Sequence, residues 1–256
     1  MKVWFALLVV GMVGAENVKI EDLDLAITAA TGGEEFTVSA GTYTRTMQTS
    51  GGYTWGIVID GKAMTIVGEG SGSSILDGGN DHPVVYVYYV SSGKVVFDGL
   101  AVKNGHYGNS AVGGGMYIFN SDVEMSNMLI EKNTADSDGG GVGLNRGTLL
   151  MVRCIVRSNT AGTNGGGLYV DSGGEATLLG NTFESNTATL GADIYNYGTV
   201  TVHGCGAGAY GTKGAALDTS GRTIGGEPFS WSGCSACERY VPPPYRHLSI
   251  YRPTIF

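Results

Sequence analysis

The chain has 256 residues, 44 of them glycine and 6 proline; 42% are apolar, 15% are charged, and the formal net charge at pH 7 is −8. Glycine at this density excludes a helical protein, since each glycine in a helix interior costs about 1 kcal/mol relative to alanine. The apolar content excludes disorder, glycine off a strict three-residue period excludes collagen, and the acidic balance speaks against nucleic acid or anionic membranes as partners. A β protein with many tight turns is left.

The chain opens MKVWFALLVVGMVGAENVK: one lysine, an apolar run from Val3 to Val13, then Gly14 and Ala15 before a polar switch. That run is too short to span a bilayer, so residues 1–15 read as a signal peptide cleaved after Ala15. The mature chain is therefore expected to be secreted, extracellular or at the cell surface. The longest later apolar run is VVYVYYV from Val84 to Val90, so no membrane insertion is expected. Residues 16–52 are expected to form an amino-terminal cap. Within them, IEDLDLAITAATGG from Ile20 places Leu23, Ala26, Ile27 and Ala30 on one side of a short helix, which would cover the open end of a stacked core.

From residue 53 to residue 210 the chain repeats. The longer stretches AMTIVGEGSGSSILDGG from Ala63 and VVYVYYVSSGKVVFDGLAVKNG from Val84 already alternate strand and turn. GGGMYIF at Gly113, GGGVGLN at Gly139, GGGLYVD at Gly165 and a worn GADIYNY at Gly191 then follow at 26-residue intervals. Between them lie IEKNTA from Ile130, VRSNTA from Val156 and FESNTA from Phe183. A fixed period of this size marks stacked repeats.

Within each repeat apolar residues alternate. Met116 and Ile118 match Val142 and Leu144, then Leu168 and Val170; Val123 and Met125 match Leu149 and Met151; Met128 and Ile130 match Cys154 and Val156. Period 2 in three short stretches predicts three strands per coil, each paired with its equivalent one coil away at about 4.8 Å, which is a parallel β-helix. Asn133, Asn159 and Asn186 mark one corner, where asparagine tolerates left-handed backbone. Gly113, Gly139 and Gly165 mark another, where the chain bends sharply and coils approach closely. No helix follows the glycines and no Lys-Ser or Lys-Thr pair accompanies them, so they do not read as a phosphate loop.

The succession LDLAITAATGGEEFTVSAGTY, TIVG and ILDGG resembles the opening of pectin-lyase-like right-handed β-helices. The paired GG-apolar and apolar-x-x-Asn motifs resemble the repeats of polymorphic outer membrane proteins, although no membrane barrel follows. The resemblance spans about residues 22–205 and implies an all-β fold: a single-stranded right-handed parallel β-helix with a short capping helix. It does not choose a function, because this fold carries lyases, hydrolases, adhesins and inert stalks alike. Residues 211–256 are expected to form an irregular tail, in which CSACERY resembles the start of Cys-x-x-Cys-rich modules that follow β-helices in some eukaryotic surface proteins.

Several residues are candidates for chemistry or structure. Cys154 falls in an inward column and reads as a buried apolar residue. Cys205 lies two coils on, about 9.6 Å away and beyond disulfide reach. Cys205, Cys234 and Cys237 are expected to supply one bridge pinning the tail to the last coil, with the pairing open. Glu131, Arg157 and Glu184 share a column and are expected to form a cross-coil ion ladder. Asp136 and Asp138 share a turn that the neighbouring coils do not reinforce. His203-Gly204 resembles a polygalacturonase dipeptide without the accompanying Asp-Asp and Arg-x-Lys motifs. No catalytic residue, metal site or cofactor is therefore assigned.

The outward positions of the first strand are aromatic: Tyr86 and Tyr88, Tyr117 and Phe119, Tyr169, Tyr195 and Tyr197, interrupted by Gly143 and Asn145. Stacked aromatics suit a β-ladder in their own right, at about 0.2–1 kcal/mol a pair. They also suit a surface for polysaccharide or for a cell-surface protein. The chain is thus expected to be a monomeric, non-catalytic adhesive, structural or glycan-binding body, with a divergent pectin-lyase-like lyase or hydrolase as the alternative.

Overall fold

The computed structural model describes residues 15–44, 48–50, 53–108, 112–203, 215–217 and 223–224. The expected signal peptide before Ala15, the cysteines Cys205, Cys234 and Cys237 with their bridge, and all but two short strands of the tail lie outside these residues.

Almost every strand pairs in parallel with its equivalent one coil on. The first face stacks Ile57–Asp60, Val85–Tyr88, the starts of Met116–Ser126 and Val142–Val152, then Leu168–Val170 and Ile194–Asn196. The second stacks Ala15–Val18, Glu34–Val38, Met64–Gly68 and Val95–Asp98, then the ends of the same two long strands, Gly174–Leu179 and Thr199–His203. The third is a six-stranded sheet running from Gly41–Tyr43 to Thr182–Glu184. The expected three strands per coil need correction on two points. The first two are continuous 11-residue strands in two coils, and a short fourth strand is added at His106–Tyr107, Thr134–Ala135 and Thr160–Ala161. Residues 16–52 are also more than a cap, since Glu34–Val38 and Gly41–Tyr43 are already rungs. At the other end Ala215–Leu217 and Thr223–Ile224 pair antiparallel with the last rungs, covering an edge that would otherwise be open.

Alternation turns the aliphatic columns inward to form one continuous core. Each such side chain contributes about 1.5–3 kcal/mol by leaving water. The helix Leu23–Ala29 seals the amino-terminal end as expected, with Ile20, Leu23, Ile27 and Ala30 buried in that core. Cys154 lies in the column of Met128, 1% exposed, where burial pushes its thiol up to about 12.

Each coil turns through corners at which one residue takes left-handed backbone, and these residues stack. One corner holds Gly61, Tyr89, Asn120 and Arg146; the next Gly99, Asn127, Arg153 and Gly180; the third Asn104, Lys132, Ser158 and Ser185; the fourth Gly113, Gly139, Gly165 and Gly191. Their φ values lie between 48° and 87°. This corrects the expectation for Asn133, Asn159 and Asn186: the left-handed residue is the one before each asparagine, and the asparagines themselves turn inward.

Buried at 0%, 0% and 6% exposure, the three asparagines form a ladder. Asn159 Oδ1 accepts both the main-chain N–H and the Nδ2 of Asn133 at 3.0 Å, and Asn186 Oδ1 does the same for Asn159. Their Nδ2 groups also donate to the carbonyls of Val102, Ile130 and Val156 at 3.1, 3.0 and 2.9 Å. The glycine triplets wall this ladder in. A Cβ on Gly115, Gly141 or Gly167 would come within 2.8–3.1 Å of an asparagine side chain, and one on Gly114, Gly140 or Gly166 within 2.2–2.4 Å of a threonine carbonyl. The two landmarks of the repeat are thus two halves of one corner.

In the last described coil Asp193 stands where the earlier coils have the third glycine. Its carboxyl accepts Asn186 Nδ2 at 2.8 Å and the Asn186 main-chain N–H, the two bonds that the next asparagine would otherwise receive. Burial raises its pKa above the ordinary carboxylate range.

On the third face the expected ion ladder is present and one cation longer than foreseen, as Lys103, Glu131, Arg157 and Glu184 alternate in sign through adjacent rungs. Glu131 meets Lys103 at 2.9 Å and Arg157 at 2.7 Å, and Arg157 reaches Glu184 at 3.8 Å. Burial opposes its ionisation, but these two cations hold the Glu131 carboxyl below its usual range.

Candidate functional site

On the first face the register sets Val58, Tyr86, Tyr117, Gly143, Tyr169 and Tyr195 in one outward column. Asp60, Tyr88, Phe119 and Asn145 form the next. Hydrogen bonds from Asp171 N–H to the Leu144 carbonyl and from Tyr197 N–H to the Val170 carbonyl, both 2.8 Å, carry this second column to Asp171 and Tyr197. The aromatic stripe read from the sequence therefore exists.

It is not an open platform. At Gly143 the stripe is interrupted, because Val112 Cγ1 lies 2.3 Å from where a Cβ would be. On the amino-terminal side of that break, Tyr86 stacks on Trp55 at 4.6 Å, on Tyr88 at 4.6 Å and on Tyr117 at 5.2 Å. Trp55 also meets the edge of Tyr107 at 4.8 Å. Trp55, Val58 and Tyr107 are buried, so these rings form a second small core outside the coil. Burial pushes the Tyr86 phenol up to about 12 and raises that of Tyr117.

On the carboxyl-terminal side Tyr169 stacks on Tyr195 at 6.0 Å, and Tyr195 meets Tyr197 nearly at right angles at 5.0 Å. Tyr169 and Tyr195, expected to face solvent, are only 8% and 5% exposed. The hydrogen bond between Tyr195 and Tyr197 pushes the Tyr195 phenol up to about 12, while burial, then the charges of Asp171 and Asp138, raises Tyr169.

Two rings escape this mutual cover. Tyr197 is 46% exposed and Tyr89 53%. Tyr89 touches Tyr88 and Phe119 only edge-on, at 66° and 83°, so no parallel ring covers it. The sequence reading missed Tyr89 because it ends the alternation instead of following it. Its signal was the corner column: Tyr89 takes φ 55° where the other coils use Gly61, Asn120 and Arg146. A residue with a Cβ in that conformation costs roughly 1–2 kcal/mol, as Arg146 also does in this column and Lys132 and Arg153 do at other corners.

Tyr89 and Tyr197 lie along one edge of the coil, four rungs apart, or about 19 Å at the usual strand spacing. Between them lie Asn120 on one rung, Asn145 and Arg146 on the next and Asp171 on the third, with the half-buried Phe119 beside Asn120. Asn145 Nδ2 donates to the Tyr117 hydroxyl at 3.4 Å. The strip is linear, has an exposed ring near each end, and offers donors and acceptors between them.

The carboxylates of the Asp136–Asp138 turn go to different partners. Asp136 meets His106 Nε2 at 3.4 Å, and Asp138 accepts the N–H and Nδ2 of Asn164 at 3.0 and 2.8 Å. Among the described residues no group of three or more His, Cys, Asp or Glu side chains could hold a metal ion.

A family model described as the right handed beta helix region matches residues 51–224. Neither the curated proteins nor the solved structures give a match.

Proposed function

Since the chain belongs to the right-handed β-helix family, whose coils are a scaffold on which function is carried by local sites, we propose that its function lies in the strip from Tyr89 to Tyr197. The strip binds an extended glycan, and the coil is a secreted, non-catalytic adhesive body that displays it. The observation that carries this reading is the exposure of Tyr89 and Tyr197 on one edge, when Tyr169 and Tyr195 are buried and Tyr86, Tyr88, Tyr117 and Phe119 are half-buried against neighbouring rings. Aromatic rings with polar tips, separated by amide, guanidinium and carboxylate groups, suit a chain of sugar rings whose faces are apolar and whose rims are hydroxylated.

Retention of the purified chain in gels containing soluble polysaccharides tests this. Tyr89→Ser and Tyr197→Ser should each weaken retention roughly tenfold, the loss of one stacking contact and its hydrogen bonds, with an unchanged thermal midpoint. Retention of the double variant equal to that of the parent chain would remove the strip from consideration. Assay of the same mixtures, with calcium, for reducing or unsaturated chain ends examines the alternative; release of such ends would make the protein a divergent lyase or hydrolase.

A further inference from the structure

We infer that the glycan accepted by this strip is a neutral, hydroxyl-rich polymer and not a polyanion; this rests on the strip being a glycan site at all. The groups along the edge carry it. Asp60 is exposed at the rung before Tyr88, and Asp171 sits one rung before Tyr197. Asp171 stands on the rung of Tyr169, beside Asn145 of the rung before.

Against these two carboxylates the strip offers one cation, Arg146, which is exposed and makes no ion pair among the described residues. A polymer with a carboxylate or sulfate on every ring would bring a negative charge to each carboxylate in turn and find a single counter-charge. At about 4–6 Å each such like-charge encounter is unfavourable, and the overall charge of −8 adds to the repulsion at long range. The same carboxylates are good acceptors for hydroxyl donors, and an amide such as Asn145 both donates and accepts. The one built cation column, in which Lys103 and Arg157 flank Glu131, lies on the third face and is spent on carboxylates of the chain itself.

Gel retention of the full chain on neutral polymers (a β-glucan, a galactomannan, a xyloglucan) and on acidic ones (polygalacturonate, alginate), at low and at roughly 0.5 M salt, separates the possibilities. The expected result is retention on at least one neutral polymer that changes less than about twofold with salt and falls about tenfold in Tyr89→Ser. Replacing Asp60 and Asp171 together by asparagine should raise retention on the acidic polymers several-fold at low salt, and no gain would overturn their exclusion by these carboxylates. Retention on the acidic polymers alone, abolished by salt, would overturn the neutral class while leaving the strip as a glycan site. Failure of the folded chain to bind either set would overturn both this inference and the reading on which it rests.

Discussion

At Asp193 a carboxyl group takes the place of an amide. It receives the two hydrogen bonds that Asn159 and Asn186 receive in earlier coils, but it is an acid in a buried site, and its folded pKa lies above the unfolded value. Between those two values the native state holds more protons than the unfolded one, so this group stabilises the protein below the ordinary carboxylate range. Its contribution is lost as pH rises toward the raised folded value. Asp193→Asn keeps the acceptor and removes the titration. Urea midpoints measured from about pH 4 to pH 8 should decline less steeply for Asp193→Asn than for the parent, and parallel curves would show that the carboxyl does not titrate with folding. Tyr89 makes the complementary point: its left-handed backbone is unfavourable for a large side chain, so Tyr89→Gly should raise the thermal midpoint while glycan retention falls.

The corner that joins an asparagine to a glycine triplet is the element that sets the stacking. Asn159 gives two side-chain hydrogen bonds and receives two, all buried. Asn159→Ala leaves several of these partners unsatisfied and should cost roughly 3–5 kcal/mol in denaturant unfolding. A loss below about 1 kcal/mol would mean that water replaces the amide and the ladder is not cohesive. Both landmarks were legible in the sequence because they recur at one spacing, and so were the inward columns, the capping helix and the charge column. The direction of the asparagine side chains was not legible, because left-handed backbone and inward hydrogen bonding both favour asparagine, and the chain assigns the first to Lys132, Ser158 and Ser185.

At the scale of the molecule, the inward side chains of the described coils form one continuous cluster, so the coils are expected to open together. Cys154 reports on this. Its thiol is buried and raised to about 12, so peptide-resolved labelling by a thiol reagent should proceed at the rate of global unfolding at each denaturant concentration. Faster labelling would reveal fraying of coils from the ends. The covering of the aromatic stripe was the feature least legible in the sequence. Trp55, Tyr107 and Val112 come from outside the repeated motifs, and no periodicity announces that they close over Tyr86, Tyr117 and Gly143.

Asp193 also gives the solenoid a direction of growth. By filling the place of the next asparagine with a group that accepts Asn186 but has no amide hydrogen to pass on, it makes the ladder finite at that end. A duplicated unit of glycine triplet and asparagine can be spliced in anywhere upstream, where each new amide finds a donor on one side and an acceptor on the other. One added beyond Asp193 would meet a closed terminus.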